Sequence, residues 1–149
     1  MAVRPAGRAM LLTMAGYSGT PLAKKLGIAA GARVALVGAP AGFEDGIEGL
    51  PDGVTFLGAA EGEVDVALFF VTERAALESG YRAIAAALRP AGSLWIAWPK
   101  RASKVPTDIT EDVLREVILP SGLVDTKVCA IDATWSGLRF VRRVKDRAK

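Results

Sequence analysis

The chain contains no histidine. That absence removes Ser-His-Asp and Cys-His nucleophile systems, histidine general bases and His-ligated zinc. A single cysteine, Cys129, excludes an internal disulfide framework and any cysteine-rich metal or iron–sulfur cage. Long apolar runs are missing as well. Val66–Val71, as long as any, is about a third of the roughly 20 residues that a membrane span requires. Acids are absent from positions 1–43, which carry Arg4, Arg8, Lys24, Lys25 and Arg33. From Glu44 to Glu78 nine acids face Arg74 alone, and beyond Glu78 thirteen bases stand against seven acids.

The net charge of +3 therefore describes no uniformly basic surface. A nucleic-acid binder usually carries a continuous basic stripe. Here such a stripe would have to be assembled from the two ends of the chain, so nucleic acid is the disfavoured partner. A small anionic molecule or a protein partner fits the pattern better, with no membrane. What is present is ordinary for a globular domain: 149 residues, 51% hydrophobic and 23% charged. Arg4 and Arg8 ahead of Ala9–Ala15 only weakly imitate a secretion signal. A flexible leader over 1–15, or an over-extended start with Met10 or Met14 as the true one, is the plainer reading. The cytoplasm is the expected compartment.

The pattern reads as one domain over 16–144 followed by a charged tail over 145–149. Thr20-Pro21 opens a short helix, Pro21–Leu26, with Gly27 at its C-terminal stop. Arg33–Val37 is a buried strand ending in the turn Gly38-Ala39-Pro40-Ala41-Gly42. Phe43–Leu50 has room for at most two helical turns, and a short strand follows at Val54–Leu57. Asp65–Val71 is a continuous apolar run suited to a parallel strand covered on both faces. Thr72 is placed to cap a helix over Glu73–Leu88, and Arg89-Pro90-Ala91-Gly92 stops it. Ser93–Trp98 is the next strand, and a helix over Thr110–Leu119 follows a polar segment. Two strands, Thr126–Ile131 and Leu138–Val144, close the chain around a connection too short for a parallel crossover. The order predicts an α/β, Rossmann-like, doubly wound and mostly parallel sheet with a terminal antiparallel strand pair. The four parallel strands should lie in the spatial order second, first, third, fourth.

Two segments carry a family resemblance. Leu26-Gly27-Ile28-Ala29-Ala30-Gly31-Ala32-Arg33-Val34-Ala35-Leu36-Val37-Gly38 resembles the helix-to-first-strand entry of class I S-adenosylmethionine methyltransferases. Ala87-Leu88-Arg89-Pro90-Ala91-Gly92-Ser93-Leu94-Trp95-Ile96 is similar to their lead into the fifth strand. From Gly16 onward the chain more closely resembles a bacterial family built on a domain of unknown function. The residues that carry this likeness are Gly16-Tyr17-Ser18-Gly19-Thr20-Pro21-Leu22-Ala23-Lys24-Lys25-Leu26-Gly27, Trp98-Pro99-Lys100 and Trp135-Ser136-Gly137-Leu138-Arg139-Phe140. That resemblance implies a fold and no activity. The methyltransferase resemblance implies a cofactor held by a Gly-x-Gly-x-Gly turn and by a carboxylate ending the second strand. This chain departs from both features. Pro40 removes a backbone donor from the turn, and the nearest carboxylate, Glu61, follows the second strand by several residues. No room remains before Asp65 for the usual next helix and strand. A trimmed fold with an eroded cofactor site is expected, and retained S-adenosylmethionine binding is the minor alternative.

Ligands of doubly wound sheets sit beyond the carboxyl ends of the strands. The candidates there are Gly38, Pro40, Gly42, Thr72, Trp98, Lys100, Arg101, Ser103, Lys104, Asp132 and Trp135. In Trp98–Lys104, three cations and a hydroxyl follow a tryptophan, a chemistry suited to clamping a phosphate or carboxylate under an aromatic face. The bland reading of that stretch is a solvated loop whose Trp98 closes the core. Asp108 and Glu111 have capping-box spacing and read as a helix cap before a catalytic pair. Asp132 reads as a turn former before a general base. Cys129 is expected as a buried small apolar side chain. Ser18 and Thr20 lack a histidine to activate them, and no Ser-x-x-Lys motif replaces it. The sequence favours a small module that binds without catalysis, with a residual methyltransferase as the alternative and a weak nucleic-acid binder third.

Overall fold

The computed structural model describes residues 20–147, so the expected leader lies outside the described residues. Its elements are α1 (Leu22–Leu26), β1 (Arg33–Val37), β2 (Thr55–Leu57), β3 (Val64–Phe70), α2 (Arg74–Ala86), β4 (Leu88–Pro99), α3 (Glu111–Ile118), β5 (Leu123–Ala130) and β6 (Trp135–Arg142). They build a six-stranded sheet in the order β2-β1-β3-β4-β6-β5. The first four strands are mutually parallel, while β6 runs antiparallel to both β4 and β5. The expected topology is the observed one, although of the parallel connections only β3 to β4 runs through an α-helix, α2.

Two apolar layers sandwich the sheet. On one face α2 contributes Leu77, Tyr81 and Ile84, and α3 contributes Leu114 and Ile118, against Ala67, Phe69, Leu94, Ile96, Leu138 and Phe140. On the other face α1 supplies Ala23 and Leu26 against Val34, Leu36, Val66, Leu68 and Trp95. Trp95 is fully buried, and its indole N–H donates to the Leu26 carbonyl at 3.0 Å. That bond satisfies a carbonyl that a five-residue helix cannot pair internally. Gly27 ends α1 in the left-handed region at φ +80°, as its position in the sequence predicts.

Several boundaries moved for identifiable reasons. Helix α2 ends before Leu88, because Leu88 pairs with Val64 as the first residue of β4. Arg89–Gly92, expected as a turn, forms a bulge inside β4, with the register jumping from Val64↔Leu88 to Val66↔Ser93. A Cβ on Gly92 would meet the Asp65, Arg89 and Val64 carbonyl oxygens at 3.0–3.1 Å, so glycine is what lets the bulge close. Strand β6 starts at Trp135 instead of Leu138, since Trp135 is in register with Pro99. The segment after Gly42 makes a four-residue 3-10 turn, Phe43–Gly46, and no longer helix.

Helix capping is the clearest correction. Thr72 does not cap α2: its carbonyl accepts from the Thr107 hydroxyl at 2.6 Å, and the helix's N-cap residue is Glu73. The Arg74 N–H donates instead to Asp108 Oδ1 at 2.7 Å. Asp108 is thus a helix cap, but for the first turn of α2 and not for its own neighbour. Helix α3 is capped by Thr110, whose hydroxyl accepts from the Val113 N–H at 3.2 Å. No helix among the described residues is long and apolar enough to cross a membrane.

Candidate functional site

The carboxyl ends of β1, β3 and β4, with the start of the antiparallel β6, bring four connecting segments to one edge of the sheet. After β1, Gly38 turns the chain at φ +74°, and a Cβ there would lie 2.9 Å from the Phe70 carbonyl oxygen. The turn therefore lies flat on the end of β3. Pro40 and Gly42 are exposed on it. Phe43, next along, packs edge to face on Phe70 at 4.9 Å, and Phe70 packs edge to face on Trp135 at 5.1 Å. Three rings from three segments occupy this edge on the α1 side of the sheet.

The Trp98–Lys104 stretch runs from the end of β4 into a 3-10 turn. Trp98 is buried among the residues packed under α2 and α3. Lys100 is half-buried, its N–H donating to the Thr134 carbonyl at 2.7 Å, while Arg101 and Lys104 are exposed. Arg101–Ser103 forms a 3-10 turn closed by Lys104 at φ +63°, and the Ser103 hydroxyl donates to the Lys100 carbonyl at 2.7 Å. Neither of the two clefts described here includes Lys100, Arg101 or Lys104. Asp132 forms an Asx turn: Oδ1 accepts from the N–H groups of Thr134 and Trp135 at 2.8 and 2.9 Å. Cys129 is half-buried on an edge strand instead of inside the core, and burial pushes its thiol up against the pull of Lys25 and Lys127.

Thr72 lines a cleft of about 330 Å³ at the end of β3, together with Glu73, Ala75, Pro106, Thr107 and Asp108. Sequence reasoning placed Thr72 at this edge but left out Pro106–Asp108, which reach it only through the long connection after β4. A larger cleft, about 490 Å³, opens at the opposite, amino edge and includes Arg139. Sequence reasoning missed it entirely. The available signal was a lone arginine between Leu138 and Phe140, where strand alternation sends a charge to the other face of the sheet. Among the described residues, no cluster of three or more histidine, cysteine or acidic side chains could hold a metal ion.

Solved structures of similar shape were found, while no family model and no curated protein matches the chain. An S-adenosylmethionine-dependent methyltransferase from Aquifex aeolicus superposes with TM-score 0.54 at 13% identity, over 80% of this chain and 86% of that one. The fibrillarin pre-rRNA processing protein of Methanococcus jannaschii gives TM-score 0.54 at 14% identity, over 81% and 73%. A ribosomal protein L11 methylase from Lactobacillus delbrueckii gives TM-score 0.54 at 11% identity, over 82% and 75%. At such identities the likeness establishes a Rossmann-like, methyltransferase-like fold and nothing finer.

A methyltransferase-like fold implies S-adenosylmethionine, and two of the features expected to hold it, the turn after β1 and the carboxylate of Glu61, do not fit it. The turn after β1 lies against Phe70 and leads into a four-residue 3-10 turn, too short to aim a helix dipole at a ligand. Glu61 follows a segment that has already turned back. Its carbonyl accepts from the guanidinium of Arg33, the first residue of β1, at 3.4 Å. A carboxylate on that segment is poorly placed to bind a ribose at the carboxyl edge.

Proposed function

We propose that this chain is a small Rossmann-like binding module that takes a small anionic molecule or a protein partner and carries out no methyl transfer. The observation that carries this reading is the Phe43–Phe70–Trp135 stack, with the Gly38 turn against it, over the edge where a methyltransferase fold holds its cofactor. The absence of histidine and the use of Asp108 and Asp132 in capping and turn bonds leave no assembled acid–base pair among the residues singled out at this edge. The resemblance to a bacterial family built on a domain of unknown function agrees with this reading and adds no activity to it. A cytoplasmic location belongs to the same proposal.

A second reading, an S-adenosylmethionine-dependent methyltransferase, draws on the fold likeness and on one local feature. The cleft at the end of β3 carries Glu73 and Asp108, carboxylates of the type that bind ribose hydroxyls. Titration calorimetry with S-adenosylmethionine separates the two. The binding-module reading expects nothing tighter than about 1 mM, a free energy near −4 kcal/mol. Micromolar affinity overturns it in favour of the methyltransferase.

A further inference from the structure

The amino edge of the sheet presents an arginine whose hydrogen-bonding capacity the fold does not use. Arg139 projects from the middle of β6, opposite Trp95 in register. Its Nη1 donates to the Thr126 hydroxyl at 3.2 Å, which fixes one side of the guanidinium. Its Nε is buried and has no hydrogen-bond partner among the described residues. Among the described residues Arg139 forms no ion pair, and residues 1–19 and 148–149 bring no acidic side chain. Nη1 is therefore held in place, while the hydrogen-bonding demand of Nε is unmet among the described residues. Burial, and secondarily the charge of Arg147, pulls the guanidinium below its ordinary pKa, as expected for a cation lacking a counter-charge.

Arg139 lines the 490 Å³ cleft, within the size range of small-molecule sites. The cleft is also lined by Gly27 and residues 29–32 on the approach to β1 and by Gly92 and Ser93 of β4. The other charges of the cleft are already matched. Arg89 pairs with Asp65 at 2.9 Å and with Glu63 at 3.2 Å, and Asp65 also accepts the Arg33 N–H at 2.8 Å. One uncompensated cation thus stands in a cleft that also contains a carboxylate.

We propose that this amino-edge cleft binds the carboxylate group of a small monoanionic molecule, held by the guanidinium of Arg139. Two parallel N–H donors match a planar carboxylate. Asp65 in the same cleft disfavours a second negative charge, which sets a phosphate dianion behind a carboxylate. The site lies at the opposite edge from the one implied by the fold, and it stands whichever reading of the carboxyl edge is correct.

The test uses the full chain and three probes: benzoate, its neutral isostere benzamide, and inorganic phosphate. Titrations are followed by the Arg139 Nε–H resonance, so the native protein gives the first answer without any variant. Benzoate should shift that resonance saturably, at least tenfold more tightly than benzamide and more tightly than phosphate. Arg139→Gln should weaken benzoate at least tenfold, and Arg139→Lys, which keeps the charge and loses the fork, should fall short of the native affinity. Absence of a benzoate shift, or equal response to benzamide, overturns the site. Tighter phosphate binding overturns the carboxylate assignment, and native affinity in Arg139→Lys overturns the role of the guanidinium's paired donors.

Discussion

Replacing Trp95 with phenylalanine tests how the sheet holds α1. The indole is fully buried and donates to the last carbonyl of that helix at 3.0 Å. Phenylalanine removes the donor and orphans a buried acceptor, which costs about 1–3 kcal/mol. The smaller ring also leaves a void of roughly 40 Å³, worth about 1 kcal/mol at about 24 cal/mol per Å³. The combined loss is about 2–4 kcal/mol, or roughly 5–15 °C in Tm for a chain of this size. Urea denaturation with an unchanged slope measures the loss, and amide exchange locates it. Lys25 and Gly27 donate their N–H groups to Pro21 and Lys24, so their protection should fall more than that of β3. A loss under about 0.5 kcal/mol, or unaltered exchange in α1, refutes the argument, since a bond of this kind should cost at least the price of its orphaned acceptor.

Two further outcomes follow from the same structure. Asp108→Ala should cost about 1 kcal/mol and speed exchange in the first turn of α2, while Asp108→Asn, which still caps, should cost little; Thr110→Ala should act on α3 instead, and an Asp108 variant that opens α3 sinks the cross-helix cap. Cys129, its thiol pushed up by burial, should react with iodoacetamide more slowly than a peptide cysteine at pH 7 and accelerate only at a higher pH than the peptide does. Because the folded state favours the neutral thiol, its contribution to stability is present below the unfolded value and lost as pH rises through the folded one. Cys129→Ala should flatten that alkaline loss, and peptide-like alkylation at pH 7 refutes the burial argument.

Much of the fold is legible locally because strand and helix periodicities survive in single segments. The run Asp65–Val71 can serve only as a strand covered on both faces, and the Leu77, Tyr81, Ile84 spacing puts one stripe of α2 on the core. Gly27 stops α1 for a reason internal to the residue, its freedom at positive φ. The short final connection forces β5 and β6 to be antiparallel. The candidate edge is legible to the same extent: Gly38, Thr72, Trp98 and Trp135 do fall at strand ends, since that follows from strand order alone.

What each of those residues does there depended on partners far away in the chain. Asp108 has the spacing of a local cap, yet 34 residues separate it from the N–H it accepts. Whether Trp98 faces a ligand or the core was set by the packing of α2 and α3 beneath it. Phe70 reads as one more apolar strand residue until the turn after β1 and the start of β6 bring Phe43 and Trp135 onto it. Arg139 is the extreme case: its charge is plain in the sequence, but that its Nε is buried without a partner among the described residues is seen only in the folded chain. Periodicity and turn chemistry act over a few residues, so the elements and their order can be read segment by segment. Burial, capping and pairing of charge are properties of surfaces in contact, and those were decided by tertiary structure alone.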